Sequence, residues 1–373
     1  MSLRDDLGLN LDGNQQRSRL YGTFGISSNP FPASGQTSDH PRMPGAADVS
    51  IRQRLRSFIE NNQSQVIVVT GIQGVGKTNL LEYYRKELPN AFAEDSGYYV
   101  IQYLADPEPR FTGVILKILD ELGVDLLQNI VEKLSSGDST QVLHKIVGSP
   151  ELREALLRIV KIKSSNGEVG PQIAQLSEYL HGVRMLKAHN ETLGVRFSLT
   201  TQEQKTSALR DIVALARELG LLKGILLFMD ELEKLGDMTL RNTLGYLSAI
   251  RALIDALPHA LFLVLAMTDT ARTQYQKLFP SLAGRFGNPI PLVPLSNQDE
   301  AVKLGQFYLV EARGRAKSEV STELQGNADI VTVEQMRTTF DELLRKQTLG
   351  RGYVVQREFL DALHFQAQLR IDG

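Results

Sequence analysis

The eight residues Gly71-Ile-Gln-Gly-Val-Gly-Lys-Thr78 constrain this chain more than any other stretch. They fit G-x-x-x-x-G-K-[ST] without a mismatch. Val66-Ile-Val-Val-Thr70 runs into them, a continuous β-branched apolar segment of the kind that forms a strand buried on both faces. After them Leu80, Leu81, Tyr84 and Leu88 recur at helical spacing up to Pro89. Strand, glycine-rich turn and helix in that order wrap backbone N–H groups around phosphate oxygens at a helix N-terminus. Gly71, Gln73, Gly74, Val75, Gly76, Lys77, Thr78 and Asn79 are the candidate phosphate-binding residues. Lys77 would reach the β- and γ-phosphates, and the Thr78 hydroxyl would hold Mg2+.

Four more apolar runs read as strands: Tyr98–Leu104, Ile225–Met229, Leu261–Leu265 and Ile290–Val293. Separated by helical stretches, the five predict an α/β fold: a five-stranded, mostly parallel sheet with helices on both faces. The gap between Ala105 and Ile225 is too long for one crossover. Phe111, Val114, Ile115, Ile118, Leu119 and Leu122 form one apolar face within it, and further helices are expected over Pro150–Ile162, Pro171–Ala188 and Thr206–Leu219. A helical insertion into the core, over about residues 106–200, is the simplest account. After Pro294 the pattern is helical only, so 47–295 reads as the core and 296–373 as a small all-helical domain. Residues 1–46 are turn-rich with embedded aromatics and read as an extended arm, with Phe24, Pro30 and Phe31 expected to pack onto the body.

A second chemical element follows the third apolar run, Ile225-Leu-Leu-Phe-Met-Asp-Glu231. Asp230 is placed to hold the metal through water and Glu231 to polarise an attacking water. The pair could instead cap the next helix. Asp followed by Glu favours hydrolysis over nucleotide storage.

Composition removes the rivals. The 373 residues contain no cysteine, which excludes a disulfide framework, a thiolate zinc site and a cysteine nucleophile. Lys plus Arg is 41 against 43 Asp plus Glu, so the molecule as a whole is not a polyanion binder, although a local basic face remains open. The apolar run Ala260–Met267 is far short of a membrane span, and Met1–Asn14 lacks a basic start followed by an apolar stretch, so no membrane partner and a cytoplasmic location are expected. The six histidines are scattered without metal-ligand spacing.

With GIQGVGKT, LLFMDE, a strand ending Met267-Thr-Asp269, Ala283-Gly-Arg-Phe286 and a helical C-terminal domain in that order, the chain resembles AAA+ ATPases over roughly residues 48–370. The resemblance implies ATP and Mg2+ as ligands, and makes the helical domain a lid. It implies that Thr268 senses the γ-phosphate, although Thr268 could equally be an ordinary strand-end residue. It makes Arg285 the arginine that a neighbouring subunit supplies, hence a homo-oligomer. A surface ion pair or a strand-entry cap is the alternative for Arg285, and Arg272 is a fallback. Arg351 or Arg357, both near the start of the last helix, would be the lid arginine that contacts nucleotide. Neither cleanly reproduces the proline or small residue the family usually places before it.

Within that family, Asn29-Pro-Phe-Pro32, Leu180-His-Gly-Val-Arg184, Leu193-Gly-Val195, Gly224–Glu233 and Arg357–Leu363 resemble the origin-recognition and transposition-regulator group, and more weakly the ATP-binding proteins of BREX-type phage defence. That group works on DNA. This sequence departs from it in showing no winged-helix reader after the lid. Three basic clusters read first as solvated helix faces, and as a DNA-binding surface only if oligomerisation multiplies them: Arg158, Lys161 and Lys163; Arg184, Lys187 and His189; Arg313, Arg315 and Lys317. Two functions follow as expectations. One is an ATP-hydrolysing oligomer acting on DNA or a DNA-bound complex. The other is a nucleotide-gated switch or scaffold that turns over little ATP and recruits an effector protein through the helical insertion.

Overall fold

The five apolar runs form one sheet. The structure, a computed structural model, describes residues 13–33, 36, 40–95, 97–104, 111–137, 139–319, 326–346 and 352–372. Strands β1 (Gln65–Thr70), β2 (Tyr98–Leu104), β3 (Gly224–Asp230), β4 (Leu261–Met267) and β5 (Ile290–Pro291) lie in the order β2-β3-β4-β1-β5. Every neighbouring pair is parallel, so the sheet is wholly rather than mostly parallel. All seven residues of β3 and of β4 are buried. Successive side chains of a strand point to opposite faces, so burial at every position requires cover on both. Phe228 stacks on Tyr84 and Phe262 packs on Phe58, at ring separations of 6.5 and 5.6 Å. The alternate residues Ile225, Leu227 and Met229 join the main core with Ile212, Leu253 and Ile254. This is an α/β fold with a P-loop sequence directly after a central strand. β5 is shorter than its apolar run, because Pro291 has no N–H for the ladder and Val293 is exposed.

Two compact units divide the chain. The larger comprises Ala46–Thr70 and Leu81–Pro291. It holds the sheet, α2 (Ala46–Asn61) and most of α3 (Lys77–Ala91), and the Tyr84 hydroxyl of α3 donates to the Asp48 carbonyl of α2 at 3.3 Å. Helix α3 runs two residues past Pro89, where the missing N–H falls in the last turn. Between β2 and β3 the unit carries α4 (Phe111–Ser135), α5 (Ser139–Ile146), α6 (Pro150–Ser164), α7 (Gly170–His181), α8 (Lys187–Leu193) and α9 (Gln202–Glu218). The single helix expected over Pro171–Ala188 is two. Gly182 takes φ 76°, its N–H and that of Val183 close back on Tyr179 and Glu178, and the chain turns away. After β3 come a 3-10 turn (Leu232–Asp237) and α10 (Leu240–Ala256). After β4 come α11 (Asp269–Leu278) and α12 (Pro280–Phe286).

The smaller unit gathers Met1–Gly45, Gly71–Leu80 and Leu292–Gly373. Its core combines α13 (Gln298–Glu319), α14 (Val333–Lys346) and α15 (Gln356–Asp372) with Leu20, Ile26 and Phe31 from the N-terminal segment. The arm expected to be extended is helical over α1 (Gly13–Phe24). Leu20 and Tyr21 are buried and Phe24 packs against the same core, a one-sided helical spacing hidden in a short polar stretch. Asn29 donates to the His364 carbonyl at 3.0 Å, and the His364 ring bonds the Phe31 carbonyl at 2.8 Å.

Candidate nucleotide-binding site

In the smaller unit the glycine-rich loop is set by its neighbours. Gly74 has φ 82°, and a Cβ there would lie 2.8 Å from Val355 Cγ1 and 3.4 Å from Arg357 Cβ. Only glycine lets the loop pass this close in that conformation. The Gly74 carbonyl accepts the Arg357 N–H at 3.2 Å. Lys77 is buried and donates to the Gly71 carbonyl at 2.9 Å and the Ile72 carbonyl at 3.3 Å. An anionic phosphate is a stronger partner than those carbonyls and would draw the ammonium off them. The Leu80 N–H bonds the Gly76 carbonyl at 3.0 Å, closing the first turn of α3. Val75 is buried, Gln73 exposed and Thr78 half-buried, while Asn79 Nδ2 donates to the Pro41 carbonyl at 3.4 Å. Of the two candidate arginines near the last helix, Arg357 stands beside the loop. Arg351 lies outside the described residues.

In the larger unit the carboxyl ends of β1, β3 and β4 share one edge of the sheet. Thr70 pairs with Met267 and Met229 with Leu265, so Asp230 follows at the next rung. Asp230 is 1% exposed, and its Oδ1 accepts the Glu231 N–H at 2.8 Å. Glu231 occupies the left-handed region at φ 57°, ψ 32°, at a cost of about 1–2 kcal/mol for a residue with a Cβ. Its side chain makes no capping bond to the 3-10 turn that follows. Instead Glu231 Oε2 meets Lys234 Nζ at 2.5 Å. That bond raises the Lys234 pKa. Sequence reasoning missed Lys234, although an acid and a base three apart after a strand was the available signal.

The Thr268 hydroxyl accepts the Ala271 N–H at 3.2 Å and so caps α11. One turn on, Arg272 has a buried Nε with no hydrogen-bond partner among the described residues. Arg285 lies on α12, and its guanidinium makes the surface ion pair named as its alternative, with Asp255 at 2.7 Å, both groups being about two-fifths exposed. The basic clusters are in part neutralised. Arg158 pairs with Glu154, Lys163 with Glu132, and Lys187 with Glu191. His189 lies 3.9 Å from Glu178. In the smaller unit Arg313 is occupied by Asp329 and the carbonyls of Phe24, Asn327 and Ala328.

No family profile matches this sequence, and no curated protein matches it. Among solved structures it is similar to the ORC2 protein of Aeropyrum pernix in its ADPNP–ADP complexes, at 12% identity and TM-score 0.39 over 89% of this chain and 71% of that one. It is also similar to the Walker-type ATPase PABY2304 of Pyrococcus abyssi, at 14% identity and TM-score 0.39 over 89% and 74%. Overlaps this distant carry no functional information. Among the described residues no helix is long and apolar enough to cross a membrane, and no group of three acidic or histidine side chains could hold a metal by itself.

Proposed function

We propose that this chain is a Mg2+-dependent ATPase of the AAA+ type. The observation that carries the proposal is the pairing of two motifs on one parallel sheet. A phosphate-loop sequence leaves β1, and a buried Asp followed by a non-capping Glu ends β3, separated from β1 by β4 alone in the strand order. Ligands of open α/β sheets lie outside the carboxyl ends of the strands. In this reading the loop amides and Lys77 bind the triphosphate, Arg357 meets it from the lid, and Thr268 contacts the γ-phosphate. Glu231, released from Lys234, takes the proton of the attacking water. The hard oxygens of Thr78 and Asp230 suit Mg2+, which supplies charge neutralisation at the phosphates when bound. Arg285 is accessible and held only by a surface ion pair, so a neighbouring subunit's nucleotide could claim it.

Glu231→Gln tests this directly. It should bind ATP with unchanged affinity, hydrolyse it at least about a hundredfold more slowly, and accumulate the ATP-bound assembly. Hydrolysis at the normal rate sinks the assignment. Action on DNA belongs to the same proposal, with Lys161, Arg184, Arg315 and Lys317 as the cations left without ion pairs among the described residues. The mass of the protein with ADP or a slowly hydrolysed ATP analogue, with and without duplex DNA, tests it.

A second reading, the switch that recruits an effector protein, is favoured by a specific surface. Val183, Leu186 and Phe197 on the helical insertion are 47%, 59% and 72% exposed. A monomer under all four conditions with negligible turnover would decide for it.

A further inference from the structure

Tyr275 sits two turns into α11, the helix that Thr268 caps, and is 1% exposed. Its hydroxyl donates to the Leu232 carbonyl at 2.8 Å and lies 3.3 Å from the Glu233 carbonyl. Both groups belong to the 3-10 turn that begins one residue after Glu231. One phenol therefore holds the first two carbonyls of that turn. Burial pushes the phenol above its ordinary pKa, so it remains a donor at every physiological pH. From the neighbouring helix, Thr243 is 3% exposed and its Oγ1 donates to the Leu235 carbonyl at 2.8 Å.

The consequence concerns Glu231. A non-glycine residue at φ 57° relaxes unless the chain is held on both sides of it. On the strand side the ladder of β3 and the Asp230 Oδ1 bond do this. On the other side the first attachment is Tyr275 at Leu232, and the second is Thr243 at Leu235. We infer that Tyr275, with Thr243 behind it, is a positioning residue for Glu231: the two hydroxyls pin the turn that holds the carboxylate in its left-handed pose. The inference rests on Glu231 being the carboxylate that activates water. It also ties the helix capped by Thr268 to the Glu231 turn through one side chain.

A buried hydroxyl that merely satisfies its neighbours would move the melting temperature and nothing else, so the decisive readout is kinetic. Tyr275→Phe keeps the ring and removes the two bonds. The expected result is a fall in kcat of about tenfold or more with ATP affinity within twofold. A Tyr275→Phe, Glu231→Gln double variant should be no slower than Glu231→Gln alone, because a carboxylate that is gone cannot be mispositioned. A folded Tyr275→Phe protein with normal kcat, or a double variant whose losses multiply, overturns the inference. If the Phe variant does not fold, Thr243→Val is read the same way: reduced kcat at unchanged ATP affinity supports it, and normal kcat overturns it. If Glu231→Gln hydrolyses normally, the catalytic assignment and this inference fall together. If Glu231→Gln is slow and Tyr275→Phe is not, only the positioning role falls.

Discussion

Lys234 and Glu231 are each about two-fifths exposed, and a pair so placed is worth no more than about 1 kcal/mol. That limits how strongly Lys234 restrains the carboxylate. Lys234→Met should raise ATP turnover by no more than about fivefold while leaving the melting temperature within a degree or so, as steady-state kinetics and thermal scans would show. Gly74 gives a sharper expectation. Gly74→Val places a side chain against Val355 and Arg357 at a left-handed φ, so nucleotide binding, measured by calorimetry, should be lost although the protein stays folded. At this scale the sequence showed the loop and the acidic pair because spacing alone defines them. Tyr275 could not be found that way. It is 43 residues from Leu232, and nothing in an Arg-Thr-Gln-Tyr-Gln context announces which carbonyl a phenol will reach.

Helix ends decide the next scale. Gly182 stops α7 where the apolar spacing continues, because the tertiary site behind it has no room for a side chain. A Cβ there would meet the Leu199 carbonyl, and Lys205 Nζ at 2.5 Å. Gly182→Ala should therefore cost about 1–3 kcal/mol in chemical denaturation. Another helix start is tied to a distant carboxylate. Asp211, 1% exposed on α9, accepts the Ser149 N–H at 2.9 Å, and Ser149 caps α6. Asp211→Ala should cost about 1–3 kcal/mol, because it strands that amide and removes the partner of Arg210. Element existence was readable from periodicity for the five strands and for α3, α4, α6 and α9. It failed for α1, where Leu20, Tyr21 and Phe24 give a helix only one apolar edge among polar residues, and turn-like neighbours outweighed them.

For the molecule as a whole, buried phenols set the alkaline limit. Burial, aided by the charge of Glu151, pushes Tyr179 from 10.0 to about 12, and Tyr246, Tyr275 and Tyr308 are raised by burial too. A raised phenol keeps its proton in the folded state, so the stability it carries is intact below pH 10 and is lost as pH climbs through the folded value. A two-unit shift corresponds to about 2.7 kcal/mol. Unfolding should set in above pH 10 together with phenolate absorbance, and Tyr179→Phe should shift that onset upward. Long-range closure is the other whole-chain feature; the embedded aromatics foretold that Phe24 and Phe31 would pack, but no local pattern foretold against what. Asn29 and His364 bond across 335 positions, a loop whose closure costs about 5 kcal/mol in chain entropy. Gly74 likewise gains its Arg357 partner from the far end of the chain. On a ribosome adding about 5–20 residues per second, Ile26 and Phe31 emerge roughly 20 to 70 seconds before the helix that covers them exists. Until then they are bare apolar side chains in need of a chaperone, and a nascent chain stalled short of α15 would have a finished sheet and an unfinished phosphate loop.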